Sequence, residues 1–126
     1  MKVAKKADPS AAVSSFDVQA MRKHSSSAAQ LMRSLANPHR LMLLCVLAEG
    51  ELSVSELNRR VTLSQSALSQ HLAVLRNEQL VSTRREAQTI YYSVVDGLAL
   101  KIVRLLHDEF CSAHKSARRT SKSTAS

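Results

Sequence analysis

Cys45 and Cys111 are the only thiols of this 126-residue chain. A thiolate attacks a persulfide or an oxidant, and a second thiol then resolves the adduct by closing a bridge. Cys45 lies within the apolar run Leu41-Met42-Leu43-Leu44-Cys45-Val46-Leu47, where a thiol serves equally well as a small core hydrophobe. Ser64, Gln65, Ser66, Ser69, Gln70 and His71 offer a different chemistry. They stand on one side of a helical repeat whose other side is Leu68, Leu72 and Leu75, and short amides and hydroxyls reach base edges and phosphates in a DNA major groove. His107, Asp108, Glu109 and His114 include metal-ligand types. A solvated helix face explains them as well, and no metal site is expected there. No nucleophile elbow, zinc-protease motif or acid pair occurs. With Gly50 and Gly97 as the only glycines, no glycine-rich phosphate loop can form. Neither an enzyme nor a cofactor is expected.

These residues need elements to hold them. The start of the chain, to about residue 15, is rich in Ser, Ala and Lys without a hydrophobic period and reads as a flexible arm. From Phe16 to Ala36 the positions Val18, Met21, Ala28, Leu31, Met32 and Leu35 trace an imperfect helical stripe. Asn37-Pro38 restarts the chain, with Asn37 as N-cap and Pro38 in the first helical position. The helix from Pro38 to Glu49 is apolar over most of its surface and should be the central buried one, closed by Gly50. Ser53-Val54-Ser55-Glu56 fits a capping box opening a short helix to about Val61. Thr62 and Leu63 turn into the polar-faced helix from Ser64 to about Glu78. Leu80 to Arg85 and Thr89 to Val94 alternate as strands, joined by Glu86-Ala87-Gln88. A last helix from near Asp96 carries Leu98, Ile102, Val103, Leu105, Leu106 and Phe110 on an apolar face.

The order α-α-α-α-β-β-α predicts a winged helix-turn-helix with an extra helix at each end, spanning residues 16–111. Those two flanking helices carry more apolar surface than a compact winged helix needs, so a homodimer through the first and last helices is expected. The net charge of +8 points to a polyanionic partner. Its distribution weakens that signal: residues 1–15 carry +2, the basic tail 112–126 carries +4 and the domain between them only +2. Such tails add salt-sensitive phosphate attraction or merely solubilise; they do not read sequence. No apolar run approaches a membrane span and the N-terminus lacks a signal-peptide apolar region, so a cytoplasmic protein with reduced cysteines is expected.

Several segments closely resemble the ArsR/SmtB family of bacterial repressors. They are Leu35-Ala36-Asn37-Pro38-His39-Arg40-Leu41, Ser64-Gln65-Ser66-Ala67-Leu68-Ser69-Gln70-His71-Leu72, Val74-Leu75-Arg76, Leu80-Val81 and Ile90-Tyr91-Tyr92. The resemblance implies a dimeric winged-helix repressor that leaves double-stranded operator DNA when an inducer binds or reacts. It places the recognition segment at Ser64 to His71 and the wing at Arg84, Arg85 and Gln88. The family usually has glycine at the wing tip, where this chain has Ala87. Metal-responsive members carry Cys-x-Cys where Ser53-Val54-Ser55 stands here, and hydroxyls are poor ligands for soft ions. In the zinc-type site an Asp precedes a His by two residues; Asp96 is present, but Leu98 replaces the His. A cysteine in the second helix and one in the last, with no metal motif, instead match the BigR/SqrR sulfur-sensing branch. That match implies reactive sulfur species as inducer and a di- or polysulfide bridge between Cys45 and Cys111. A plain disulfide needs Cα atoms within about 7 Å, whereas a polysulfide tolerates a wider gap. The alternatives are a peroxide-sensing repressor using a simple disulfide and a metal-responsive repressor.

Overall fold

The computed structural model describes residues 15–112, so the arm and the basic tail, including His114, lie outside the described residues. The chain divides into two compact units between Met32 and Arg33. The first helix, α1 (Val18–Leu35), begins in one unit and ends in the other. Asp17 opens it by accepting from the Ala20 amide at 3.0 Å, which sets its start just after Phe16. Within the first unit Val18 and Met21 point to solvent.

The second unit follows from strong local signals. Asn37 caps α2 (Pro38–Ala48), its side chain accepting from the His39 and Arg40 amides, with Pro38 in the first turn. Leu43, Leu44 and Leu47 are buried, but Met42 is 55% exposed. Leu41, Cys45 and Val46 are only half-buried, so α2 is less enclosed than its composition suggests. Gly50 follows at φ +157°, a setting that side-chain-bearing residues rarely adopt. The capping box forms as expected: the Ser53 amide donates to Glu56 Oε1 at 2.8 Å and the Glu56 amide to Ser53 Oγ at 3.2 Å, opening α3 (Val54–Arg60). Ser64 caps α4 (Gln65–Asn77), which buries Leu68, Leu72 and Leu75.

The sheet has three antiparallel strands rather than the two expected. β2 (Val81–Glu86) and β3 (Thr89–Val94) form the hairpin, and β1 (Leu52–Ser53) adds to the other edge of β3 through Leu52↔Tyr92 and Ser53↔Tyr91. Two residues are too short to show an alternating pattern, so the sequence carried no sign of β1. The register from Val81↔Val94 to Glu86↔Thr89 leaves Ala87 and Gln88 as a tight two-residue turn. Ala87 takes φ +56°, the left-handed setting for which glycine is usual. The last helix, α5 (Leu98–His107), buries Ala99, Leu100 and Val103 and runs into a π-helical turn at Asp108–Ser112. A leucine-rich core joins α2, α3, α4 and α5 through Leu43, Leu47, Leu57, Leu68 and Leu100. No helix among the described residues is long and apolar enough to cross a membrane.

Candidate nucleic-acid interface and thiol pair

The buried leucine face of α4 turns its opposite face outward. Gln65, Ser66, Ser69 and Gln70 are exposed there, as is the cap Ser64. Ser64 Oγ accepts from the Ala67 amide at 3.1 Å and lies 3.5 Å from Ser66 Oγ, so it holds the first turn as well as facing solvent. His71 sits apart from the others. It is half-buried, its ring 5.6 Å from that of His39, and its Nδ1 is 3.5 Å from Arg40 Nη1. Burial, and then the charges of Arg40 and His39, push its pKa below the ordinary histidine value.

On the wing, Arg84 and Arg85 part company because neighbouring strand residues face opposite sides. Arg84 Nε donates to Glu51 Oε2 at 2.8 Å and Nη1 donates to Glu86 Oε1 at 3.1 Å. Its guanidinium carbon lies 4.5 Å from the centre of the Tyr91 ring, a cation–π arrangement. The Ser93 hydroxyl also donates to Glu51 Oε2. Hydrogen bonding from Arg84 holds the Glu51 carboxyl below its usual range, and the same pairs raise the Arg84 pKa. Two carboxylates thus neutralise Arg84, while Arg85 and Gln88 are exposed and Arg85 makes no ion pair among the described residues. Sequence reasoning missed Glu51, because a single acid before a two-residue strand has no local signature.

Cys45 and Cys111 are both free thiols. Cys45, on α2, lines an open cleft of about 420 Å³ together with Glu49, Val103, Arg104, His107 and Asp108. Burial pushes its thiol pKa up, and negative charge on Cys111 and on Glu49 pushes it further. Cys111 is exposed on the π-helical turn that follows α5. His107 and Asp108 sit 3.4 Å apart at the cleft edge, both exposed. Among the described residues no group of three or more His, Cys, Asp or Glu side chains could hold a metal ion. Ser53, at the position where metal-responsive members have a cysteine, is buried and committed to the capping box.

Residues 37–83 match the arsR family of bacterial regulatory proteins. The transcriptional activator HlyU of Vibrio cholerae is 48% identical over 100 residues, covering 79% of this chain and 93% of that protein. The solved structure of reduced HlyU from Vibrio cholerae superposes with a TM-score of 0.69 at 49% identity, covering 74% of this chain and 98% of that one. The transcriptional repressor BigR from Xylella fastidiosa superposes with a TM-score of 0.67 at 40% identity, covering 75% and 94%. The chain belongs to the arsR family of bacterial regulatory proteins: it is a winged-helix transcriptional regulator and not an enzyme.

Proposed function

We propose that the chain is a repressor that holds operator DNA as a homodimer and lets go when reactive sulfur species bridge Cys45 and Cys111. The observation that carries the sensing half is a free, half-buried thiol on α2 that lines a cleft with Val103, Arg104 and His107 of α5, the helix beyond whose end the second thiol stands free and exposed. The DNA half rests on the exposed Ser64, Gln65, Ser66, Ser69 and Gln70 and on Arg85 and Gln88 at the wing. The dimer rests on α5, whose outer face leaves Leu98 and Leu105 at 59% and 66% exposure, with Phe110 following at 70%. Each such side chain gains about 1.5–3 kcal/mol on full burial. Of the relatives, HlyU is described as an activator and BigR as a repressor. The repressor role is preferred because release from DNA then switches a gene on.

The exposed thiol is reached first. The Cys111 thiolate attacks the outer sulfur of an organic persulfide RSSH; the S–S bond breaks, RSH leaves, and Cys111 keeps the extra sulfur as a persulfide. The Cys45 thiolate then attacks Cys111 Sγ, expelling hydrosulfide and closing a disulfide. If Cys45 has itself taken up a sulfur, the same attack closes a trisulfide. In the disulfide case one RSSH and two thiols give one bridge, RSH and hydrogen sulfide. The bridge clamps α2 to the end of α5 and favours a dimer shape whose recognition helices miss the half-site spacing.

The test uses the duplex that the wild-type protein selects from a random pool. Organic persulfide should release wild type, while Cys45→Ser and Cys111→Ser stay bound. Release of both variants would refute the thiol mechanism. Mass spectrometry of the treated wild type separates the chemistries: a bridge formed with organic persulfide, with or without an inserted sulfur, supports the proposal, and a plain disulfide formed with peroxide but not with persulfide marks the rival oxidant.

A further inference from the structure

The Arg40 guanidinium spans from the end of α1 to His71 of α4. Its Nε donates to the Ser34 carbonyl at 2.6 Å and its Nη2 to the Arg33 carbonyl at 3.2 Å. Both carbonyls lie in the last turn of α1, where a cation suits the helix end, and the Arg33 carbonyl also accepts from the Ala36 amide at 3.2 Å. The third edge of the same guanidinium meets His71 Nδ1 at 3.5 Å, while His39, the neighbouring residue of α2, packs its ring against the other histidine. The first turn of α2, itself fixed by the Asn37 cap, thus grips His71 of α4 from two directions.

The guanidinium can only donate. Contact with it therefore requires His71 Nδ1 to accept, which leaves the ring neutral with its proton on Nε2. The depressed pKa agrees with a ring that stays uncharged. The geometry points to Arg40 as a positioning residue for DNA reading: it locks the tautomer and orientation of His71, and with them the angle of α4 in the groove. Lysine cannot replace it, because one ammonium group lacks the planar fork that spans two carbonyls and an imidazole. The inference rests on the proposed reading of DNA by α4.

The experiment compares the duplex selected by the wild-type protein with a scrambled duplex of equal length. Arg40→Lys should lose about tenfold on the selected duplex, equivalent to about 1.4 kcal/mol, and keep its affinity for the scrambled one within about twofold. A purely structural role would lower both equally or add independently. His71→Gln supplies the cycle: with the histidine gone, Arg40→Lys should cost nothing further in discrimination. The wild-type imidazole nitrogens, read by long-range proton–nitrogen correlation spectra, should show a bare Nδ1 and a protonated Nε2. A protonated Nδ1, or an unchanged selected-to-scrambled ratio in Arg40→Lys, would overturn the assignment. The spectrum decides even if the variant does not fold. Failure of the wild-type protein to select any duplex would sink the DNA reading itself, a distinguishable outcome.

Discussion

Gln79 should be the most productive single site for stabilising the join between recognition helix and wing. Helix α4 ends at the cap Glu78, and Gln79 follows at φ +61°. The Gln79 amide donates to the Arg76 carbonyl at 2.9 Å and the Leu80 amide to the Leu75 carbonyl at 2.8 Å. This is the Schellman arrangement, with the buried Leu75 and Leu80 as its apolar pair. Glycine normally occupies the left-handed position, where a side-chain-bearing residue costs about 1–2 kcal/mol. The Gln79 side chain is exposed, so its removal takes nothing from the core. Against the gain stands the extra freedom of glycine in the unfolded chain, about 0.5–1 kcal/mol. Gln79→Gly should therefore gain about 0.5–1 kcal/mol net, raising Tm by about 2–8 °C in a domain of this size. Thermal melts at one fixed protein concentration are the assay, because a dimer makes Tm concentration-dependent. Gln79→Ala keeps the left-handed strain and should move Tm little. Loss of stability in Gln79→Gly, or an equal gain in Gln79→Ala, would refute the strain argument.

Other consequences follow from the same geometry. Gln70→Ala should weaken binding to the selected duplex by about 1–3 kcal/mol while sparing scrambled DNA; equal loss on both would mean Gln70 reads no base. Glu51→Gln should loosen the hold on Arg84 and make the salt dependence of DNA binding steeper, by at most the roughly 0.9 expected of one added phosphate contact, measured as log Kd against log salt. His71 has a folded pKa below its unfolded value, so the unfolded state takes up the proton first as pH falls. Stability should therefore decline from about pH 6.5 downward until the folded ring titrates. Urea midpoints should show that decline in wild type and a shallower one in His71→Gln, whereas Glu51 and Glu56, held low by their hydrogen bonds, act only in the more acidic carboxylate range. Leu57→Ala, at a fully buried site joining α3 to the core, should cost about 2–5 kcal/mol in chemical denaturation.

Most of the architecture was legible because it is written in local chemistry. Asn37-Pro38, the Ser53–Glu56 box and Ser64 each satisfy orphan amides within three residues, so the helix starts could be read directly and the structure places them there. The same holds for Leu68, Leu72 and Leu75, whose spacing alone defines a buried stripe. What stayed hidden depends on residues brought together from distant parts of the chain. Nothing near Arg84 in sequence announces Glu51, which converts a wing cation into a neutralised strut. His71 looks like its polar neighbours until the fold brings His39 and Arg40 against it. The sequence alone determined which helices exist, which face of α4 is apolar and which two residues are thiols, since periodicity, capping and side-chain chemistry are local properties. Only the tertiary structure decided that Cys45 lines a cleft with the end of α5, that Arg84 is neutralised and that His71 is gripped by α2, because each depends on packing between elements far apart along the chain.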